Sequence, residues 1–268
     1  MITNRGLIMS DFETVKVAQD GAVAIVTIYR PDAMNSFDDQ LREELAAALQ
    51  QVGGDAAIRA VVLTGEGRSF SAGADLKAGF DRDRSVEQIL QESYRPVLEA
   101  IINMDKPVIA AVNGSAAGIG LSIALACDLL MIGDNAFMLS PFTTISLVPD
   151  GGLNWLLVHQ LGYRRAFELS VESQRIAADK AQELGLANRI APAESLVADA
   201  VDWAQQLAKR APLSLAATKK VMRQAAASDW ASTFDMEAPL QTELQGTDDF
   251  KEGVDAFLEK RKPEFKGN

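Results

Sequence analysis

Residues 113–154 constrain the fold of this chain more than any other stretch. They begin NGSAAGIGLSIALACDLL and end TTISLVPDGGLN. The first half reads as a strand end, a tight glycine turn and the start of a buried helix. Small residues there let a ligand approach the backbone, and free N–H groups at a helix start favour negative charge. The second half is a polar loop with one acid, Asp150, beside two glycines. One half offers aimed donors and the other a proton carrier, which together make most of an active site.

A second loop, SFSAGADL at residues 69–76, follows the same logic of strand, small residues, then helix. Two N–H groups converging from two such loops would form an oxyanion hole. The alternative is that Gly114, Gly118 and Gly120 only permit close packing of helix on strand. A nucleotide fingerprint fits less well, because GSAAGIG lacks the GxGxxG spacing and no P-loop lysine follows.

Composition removes several chemistries. One histidine, His159, rules out a histidine metal cluster, and it sits inside a helical pattern. One cysteine, Cys127 in IALACDLL, rules out an intrachain disulfide or a CxxC site and reads as a core residue. The net charge of −11 argues against a nucleic-acid partner. No apolar run reaches the roughly 20 residues of a membrane span, and the N-terminal stretch lacks an apolar signal region. The expectation is a cytoplasmic enzyme with no metal and no membrane partner.

Residues 12–19 and 23–29 alternate apolar and polar around Asp20-Gly21, a hairpin signal. Helical spacing is expected over 37–52 and 85–103, the latter kinked at Pro96. Residues 58–64, 107–112, 128–133 and 136–139 read as strands, 118–126 as a small-residue helix and 65–80 as a loop. From about 151 onward the pattern is almost entirely helical. Alternating strands and helices give an α/β class with parallel units. Pro212 marks the expected boundary between a core of residues 1–211 and a helical region of residues 212–268.

With these residues in view, the chain resembles the crotonase superfamily, the enoyl-CoA hydratases and isomerases. The resemblance rests on RPDAMNSFDDQL (30–41), RSFSAGADLK (68–77), PVIAAVNGSAAGIGLSIALACDL (107–129), LVPDGG (147–152) and EGVDAFLEKRKPEFKG (252–267), in that order. It implies a crotonase-like spiral of ββα units with a C-terminal helical trimerisation region. It also implies an acyl-CoA substrate, with coenzyme A as part of that substrate and no other cofactor, and a homo-oligomer, either a trimer or a dimer of trimers.

Residue by residue, the resemblance places the two oxyanion donors at the backbone of Ala74 and Ile119. The family often has glycine at the second position, so Ile119 departs from the pattern while keeping the N–H. CoA and substrate contacts fall on Ala33, Ala72, Gly73, Asp75, Leu76, Lys77, Gly118 and Ser122, with Arg30 as another candidate for the phosphates. Asp75 is also a favoured N-cap type for a following helix. Phe80, Phe142 and Trp155 are candidate pocket walls.

Hydratases of the family use two glutamates. One position is Ser122 here, and no acid occurs between residues 135 and 149 where the other would lie. Asp150 remains, where the isomerase branch has its single acid. By itself Pro-Asp-Gly is also an ordinary turn. The expected activity is a Δ3-to-Δ2 enoyl-CoA isomerase with Asp150 as acid and base. A hydratase with atypical residues and a non-catalytic acyl-CoA-binding protein are the alternatives.

Overall fold

The structure is a computed structural model and describes residues 6–7, 12–77 and 83–268; Phe80 lies outside the described residues. The chain enters through β1 (Gly6–Leu7), β2 (Val15–Asp20) and β3 (Val23–Ile28), which pair antiparallel in sequence. The β2–β3 turn holds Gly21 at φ 58°, a conformation glycine adopts without strain. Helix α1 (Asp39–Gly54) follows, capped by Asp38, whose carboxylate accepts from the Leu41 N–H at 2.9 Å. Its Leu41, Leu45, Leu49 and Val52 recur at helical spacing and enter the core.

The chain then repeats one motif. A strand of the larger sheet leads to a short strand of a smaller sheet, and a helix returns the chain. The first turn is β4 (Ala60–Gly65) and β5 (Ser69–Ser71), then α2 (Val86–Ile89) and α3 (Arg95–Ile102). The second is β6 (Val108–Val112), β7 (Ser115–Ala117) and α4 (Ile119–Ala126). The third is β8 (Leu129–Gly133) and β9 (Phe137–Leu139), then α5 (Leu153–Leu161) and α6 (Tyr163–Glu172). Next come β10 (Ile176–Ala177), α7 (Ala178–Glu183), β11 (Arg189–Ala191) and α8 (Leu196–Ala208).

The larger sheet runs β1-β2-β3-β4-β6-β8-β11 and the smaller β10-β9-β7-β5. From β3 onward the larger sheet is parallel, and so is the smaller from β5 to β9. This is a mixed α/β spiral of ββα units. Both faces of the larger sheet are covered: α1, α3 and α4 pack on one, and α8 packs Leu196, Val201 and Ala204 on the other. Hence β4 and β6 are buried throughout rather than alternating.

Several expectations need correction. The expected loop over 65–80 contains β5, and residues 113–118 contain β7. Both strands are only three residues long, SFS and SAA, too short to show a period. The region after 151 also holds β10 and β11, for the same reason. Over 85–103 the helix widens into a π turn at Leu90–Tyr94, directly before Pro96. The proline ring crowds the carbonyl four residues back, and the wider turn makes room for it.

The C-terminal helices are α9 (Pro212–Ala225), α10 (Trp230–Gln245) and α11 (Asp248–Glu259). Pro212 occupies the first turn of α9, where its missing N–H costs nothing. Helix α9 is tied to the spiral by Lys219 and Arg223, which hold Asp128 at 2.8 and 2.7 Å. Arg223 also donates to the Ala126 carbonyl at the end of α4. Among the described residues no helix is long and apolar enough to cross a membrane.

Candidate active site

The ends of β5 and β7 bring the two small-residue loops into contact. A Cβ built on Gly73 would lie 3.0 Å from the Ala117 carbonyl oxygen and 3.6 Å from the Gly118 Cα. Gly73 has φ 97° and Gly118 φ 56°, so neither position accepts a side chain without strain. The residues that follow them are Ala74 and Ile119. Among the described residues no acceptor takes the N–H of either, whereas the neighbouring N–H groups are engaged. Gly73 donates to Ser71 Oγ at 3.1 Å, Asp75 to the Phe37 carbonyl at 3.0 Å and Gly118 to the Leu139 carbonyl at 3.1 Å. Ile119 is the first residue of α4, where the helix dipole adds partial positive charge. Two free donors on adjoining loops are the geometry that binds a developing oxyanion.

The first loop is laced to residues 30–37. Ala72 donates to the Met34 carbonyl at 3.0 Å, Phe37 to the Gly73 carbonyl at 2.8 Å, and Phe37 bridges Ala74. Asn35 fixes the lace from within. It is fully buried, has φ 55°, and its amide donates to the Ser69 and Glu66 carbonyls at 2.6 and 2.9 Å. Sequence reasoning passed over Asn35; its tolerance of a left-handed backbone was the available signal. Ala33 lies in the 3-10 turn Pro31–Ala33 on the same segment, so Ala33 and Ala72, Gly73, Asp75, Leu76 and Lys77 are gathered at one rim.

Two assignments at that rim change. Arg30 is not open to a phosphate: it pairs with Asp38 at 2.8 Å and Asp75 at 3.0 Å and donates to the Ser36 carbonyl. Asp75 does not cap the next described helix; α2 is capped by Ser85, with Gln88 completing the capping box. The Asp75 carboxylate instead receives Arg30 and the Lys77 N–H at 3.1 Å. Lys77 and Leu76 are exposed.

The second half of the site sits over α4. Ser122 is fully buried, and its hydroxyl donates to the Asp150 carbonyl at 3.0 Å. Asn154 donates to the Pro149 carbonyl at 2.6 Å, so the turn is held on both sides of the acid. Gly151 is pressed onto the helix, and a Cβ there would meet Ile119 Cδ1 at 2.2 Å. The side chain of Ile119 therefore forms the floor under the Asp150 turn. Phe142 lies over the glycine turn, its Cζ 3.9 Å from where a Gly118 Cβ would be.

Asp150 has one carboxylate oxygen, Oδ1, that is buried and without a hydrogen-bond partner. Burial pushes its carboxyl up to about 6, because desolvation penalises the charged form. A carboxylate titrating there can take a proton near neutral pH and return it.

His159 is apart from this chemistry. It is exposed, with Nδ1 2.8 Å from the Trp155 carbonyl of its own helix and its ring against Trp155. Cys127 is buried, its thiol pushed up to about 12 by desolvation, and is inert as a nucleophile. Among the described residues no group of three acidic, histidine or cysteine side chains is placed to hold a metal.

Comparison with known proteins shows what the chain as a whole is similar to. Residues 18–268 match the family model described as enoyl-CoA hydratase/isomerase. A Rhodobacter capsulatus protein described as a probable enoyl-CoA hydratase is 38% identical over 96% of this chain and 99% of its own length. The 1,2-epoxyphenylacetyl-CoA isomerase of Escherichia coli is 34% identical over 91% of this chain and 95% of its own. The crystal structure of enoyl-CoA hydratase from Bacillus anthracis superposes with a TM-score of 0.91 at 32% identity, covering 96% of this chain and all of that one.

Proposed function

The chain belongs to the enoyl-CoA hydratase/isomerase family, and on that premise we propose that it shifts the double bond of an enoyl-CoA from Δ3 to Δ2 with Asp150 as acid and base. The observation that carries this reading is the Asp150 carboxyl, which has a buried, unpartnered oxygen and sits on a turn packed against Ile119, one of the two residues with a free N–H. The thioester oxygen accepts from Ala74 and Ile119. Asp150 removes a C2 proton, and the electrons flow into the enolate that the donors stabilise. The now neutral Asp150 delivers that proton to C4, leaving the double bond conjugated with the thioester. No water is consumed, and one carboxyl suffices.

Ser122 supports this reading from the other side. The family's hydratase acid would stand there, and the hydroxyl that replaces it is engaged with the Asp150 backbone. The reading is tested by turnover of a 3-enoyl-CoA. Wild-type activity with loss of at least ~10²-fold in Asp150→Asn is expected, and a smaller loss removes Asp150 from the role. A second reading, water addition to a 2-enoyl-CoA, is favoured by the description of the Rhodobacter relative. Crotonyl-CoA separates the two, since hydration destroys the absorbance of the conjugated thioester and isomerisation of a 3-enoyl chain creates it.

The C-terminal helices are read as an assembly surface that makes a trimer or dimer of trimers. Trp230 is 78% and Phe257 82% exposed in the single chain. A groove of about 790 Å³, lined by Leu213, Leu244, Phe250, Val254 and Phe257, opens between α9, α10 and α11. Exposed apolar surface of this kind marks an interaction site. Light scattering is expected to give a mass three or six times that of the chain, and a monomer would remove the reading.

A further inference from the structure

One wall of the site carries a buried arginine–tyrosine pair whose hydrogen-bonding capacity is only partly used. Arg42, on the second turn of α1, is only 7% exposed. Its Nη1 donates to the Tyr94 hydroxyl at 3.3 Å, its Nη2 contacts the Asp39 carboxylate, and its buried Nε has no partner. Tyr94 is 5% exposed and lies in the π turn Leu90–Tyr94, the kind of local widening often found at functional positions. Its oxygen accepts from Arg42, so its own proton is turned elsewhere, and among the described residues no acceptor takes it. Buried donors in folded proteins are almost always matched, so the Tyr94 proton, turned away from Arg42, calls for an acceptor from outside the chain.

The position of Tyr94 says which ligand supplies it. Its ring packs on Phe37 with centroids 6.0 Å apart, and Phe37 is the residue bridged to the oxyanion donor Ala74. It also lies within the field of Asp150. The pair thus borders the acyl end of the site, and this inference rests on the acyl-CoA reading given above. We propose that the Tyr94 hydroxyl, oriented by Arg42, forms a recognition point for a neutral oxygen, a carbonyl or hydroxyl, on the acyl group of the substrate. A plain alkyl chain would leave the Tyr94 hydroxyl without an acceptor. A second carboxylate fits less well, because the charge of Arg42 is already balanced by Asp39, and Asp38 and Asp150 both lie within the field of Tyr94.

Binding of saturated thioesters tests this without requiring turnover. Octanoyl-CoA is compared by calorimetry with its 4-, 5- and 6-oxo and hydroxy derivatives and with a chain ending in a carboxylate. Wild type is expected to bind at least one neutral oxygenated chain about 10-fold or more tighter than octanoyl-CoA. Tyr94→Phe, which keeps the ring and its packing, abolishes that preference while still binding octanoyl-CoA. Asp150→Asn retains the preference, so failure of the isomerase reading and failure of this one give different results. Equal affinity for all neutral chains in wild type would mean that water alone meets the donors and would overturn the proposal. So would an equal loss for both ligands in Tyr94→Phe, which marks a packing role, or tightest binding of the carboxylate chain, which marks an anion site.

Discussion

The Ser122 hydroxyl, on the first turns of α4, donates at 3.0 Å to the backbone carbonyl of Asp150, 28 residues later in the chain. This bond fixes the turn that carries the acid to the helix whose first residue, Ile119, is proposed to supply an oxyanion donor. Acid and donor therefore keep their separation as one unit. Ser122→Ala is expected to leave the fold intact and lower kcat about 10-fold, by the misplacement of a reacting group. Equal kcat for the variant and wild type would show that the turn is held by other contacts.

Asp150 also fixes a pH dependence. With its carboxyl raised to about 6 from an ordinary 3.8, the base form is lost below that point. The kcat/KM profile is expected to fall on its acid side with a midpoint near 6. A midpoint near 4 would place the acting carboxylate in an exposed, hydrated setting.

The same shift has an opposite consequence for stability. Between pH 3.8 and about 6 the folded state binds more protons at Asp150 than the unfolded chain does. This group's contribution to stability is thus full below that window and is lost as pH rises through it. Removing the charge should stabilise the protein at neutral pH, by about 1 to 2 kcal/mol after discounting for solvent that still reaches the group. Asp150→Asn is therefore expected to be inactive yet to melt higher, as read by thermal unfolding at pH 7. A lower melting temperature would contradict the desolvation argument.

Gly151→Ala should be costly for two reasons. The backbone there has φ 61°, and the new Cβ would press on Ile119 Cδ1 and on Ser122 Cβ, the latter at 3.0 Å. The expected loss is about 1 to 3 kcal/mol of stability, with a drop in kcat. Gly21→Ala is the control: it has φ 58° with nothing within 4 Å of the added methyl, and should cost about 1 kcal/mol and no activity. Chemical denaturation of the pair separates the crowding from the strain.

Asp128 joins α9 to the spiral through Lys219 and Arg223, both largely buried. Asp128→Ala leaves two cations without their acid and is expected to cost about 3 kcal/mol. Replacing Arg223 by Met as well should recover part of that loss, as a double-mutant cycle would show. Strict additivity would mean the three residues act independently.

The sequence by itself determined the class of the fold and the parts of the site that are local in the chain. The glycine turn before Ile119, the small residues before Ala74 and the lone acid among residues 135–150 are all legible without coordinates. So were the β2–β3 hairpin and the long amphipathic helices, because their periods of two and 3.6 residues are written in consecutive side chains. The short strands β5 and β7 were not, since three residues are too few to carry a period. Only the tertiary structure decided how the parts meet. Gly73 touches Gly118, Ile119 supports Gly151, and Arg42 reaches Tyr94 across 52 positions. It likewise took Arg30 away from the ligand and gave it to Asp38 and Asp75. The physical reason is the winding of the spiral: each turn stacks on the last through parallel pairing, so residues tens of positions apart become neighbours. No local pattern records which side chains those pairings bring face to face.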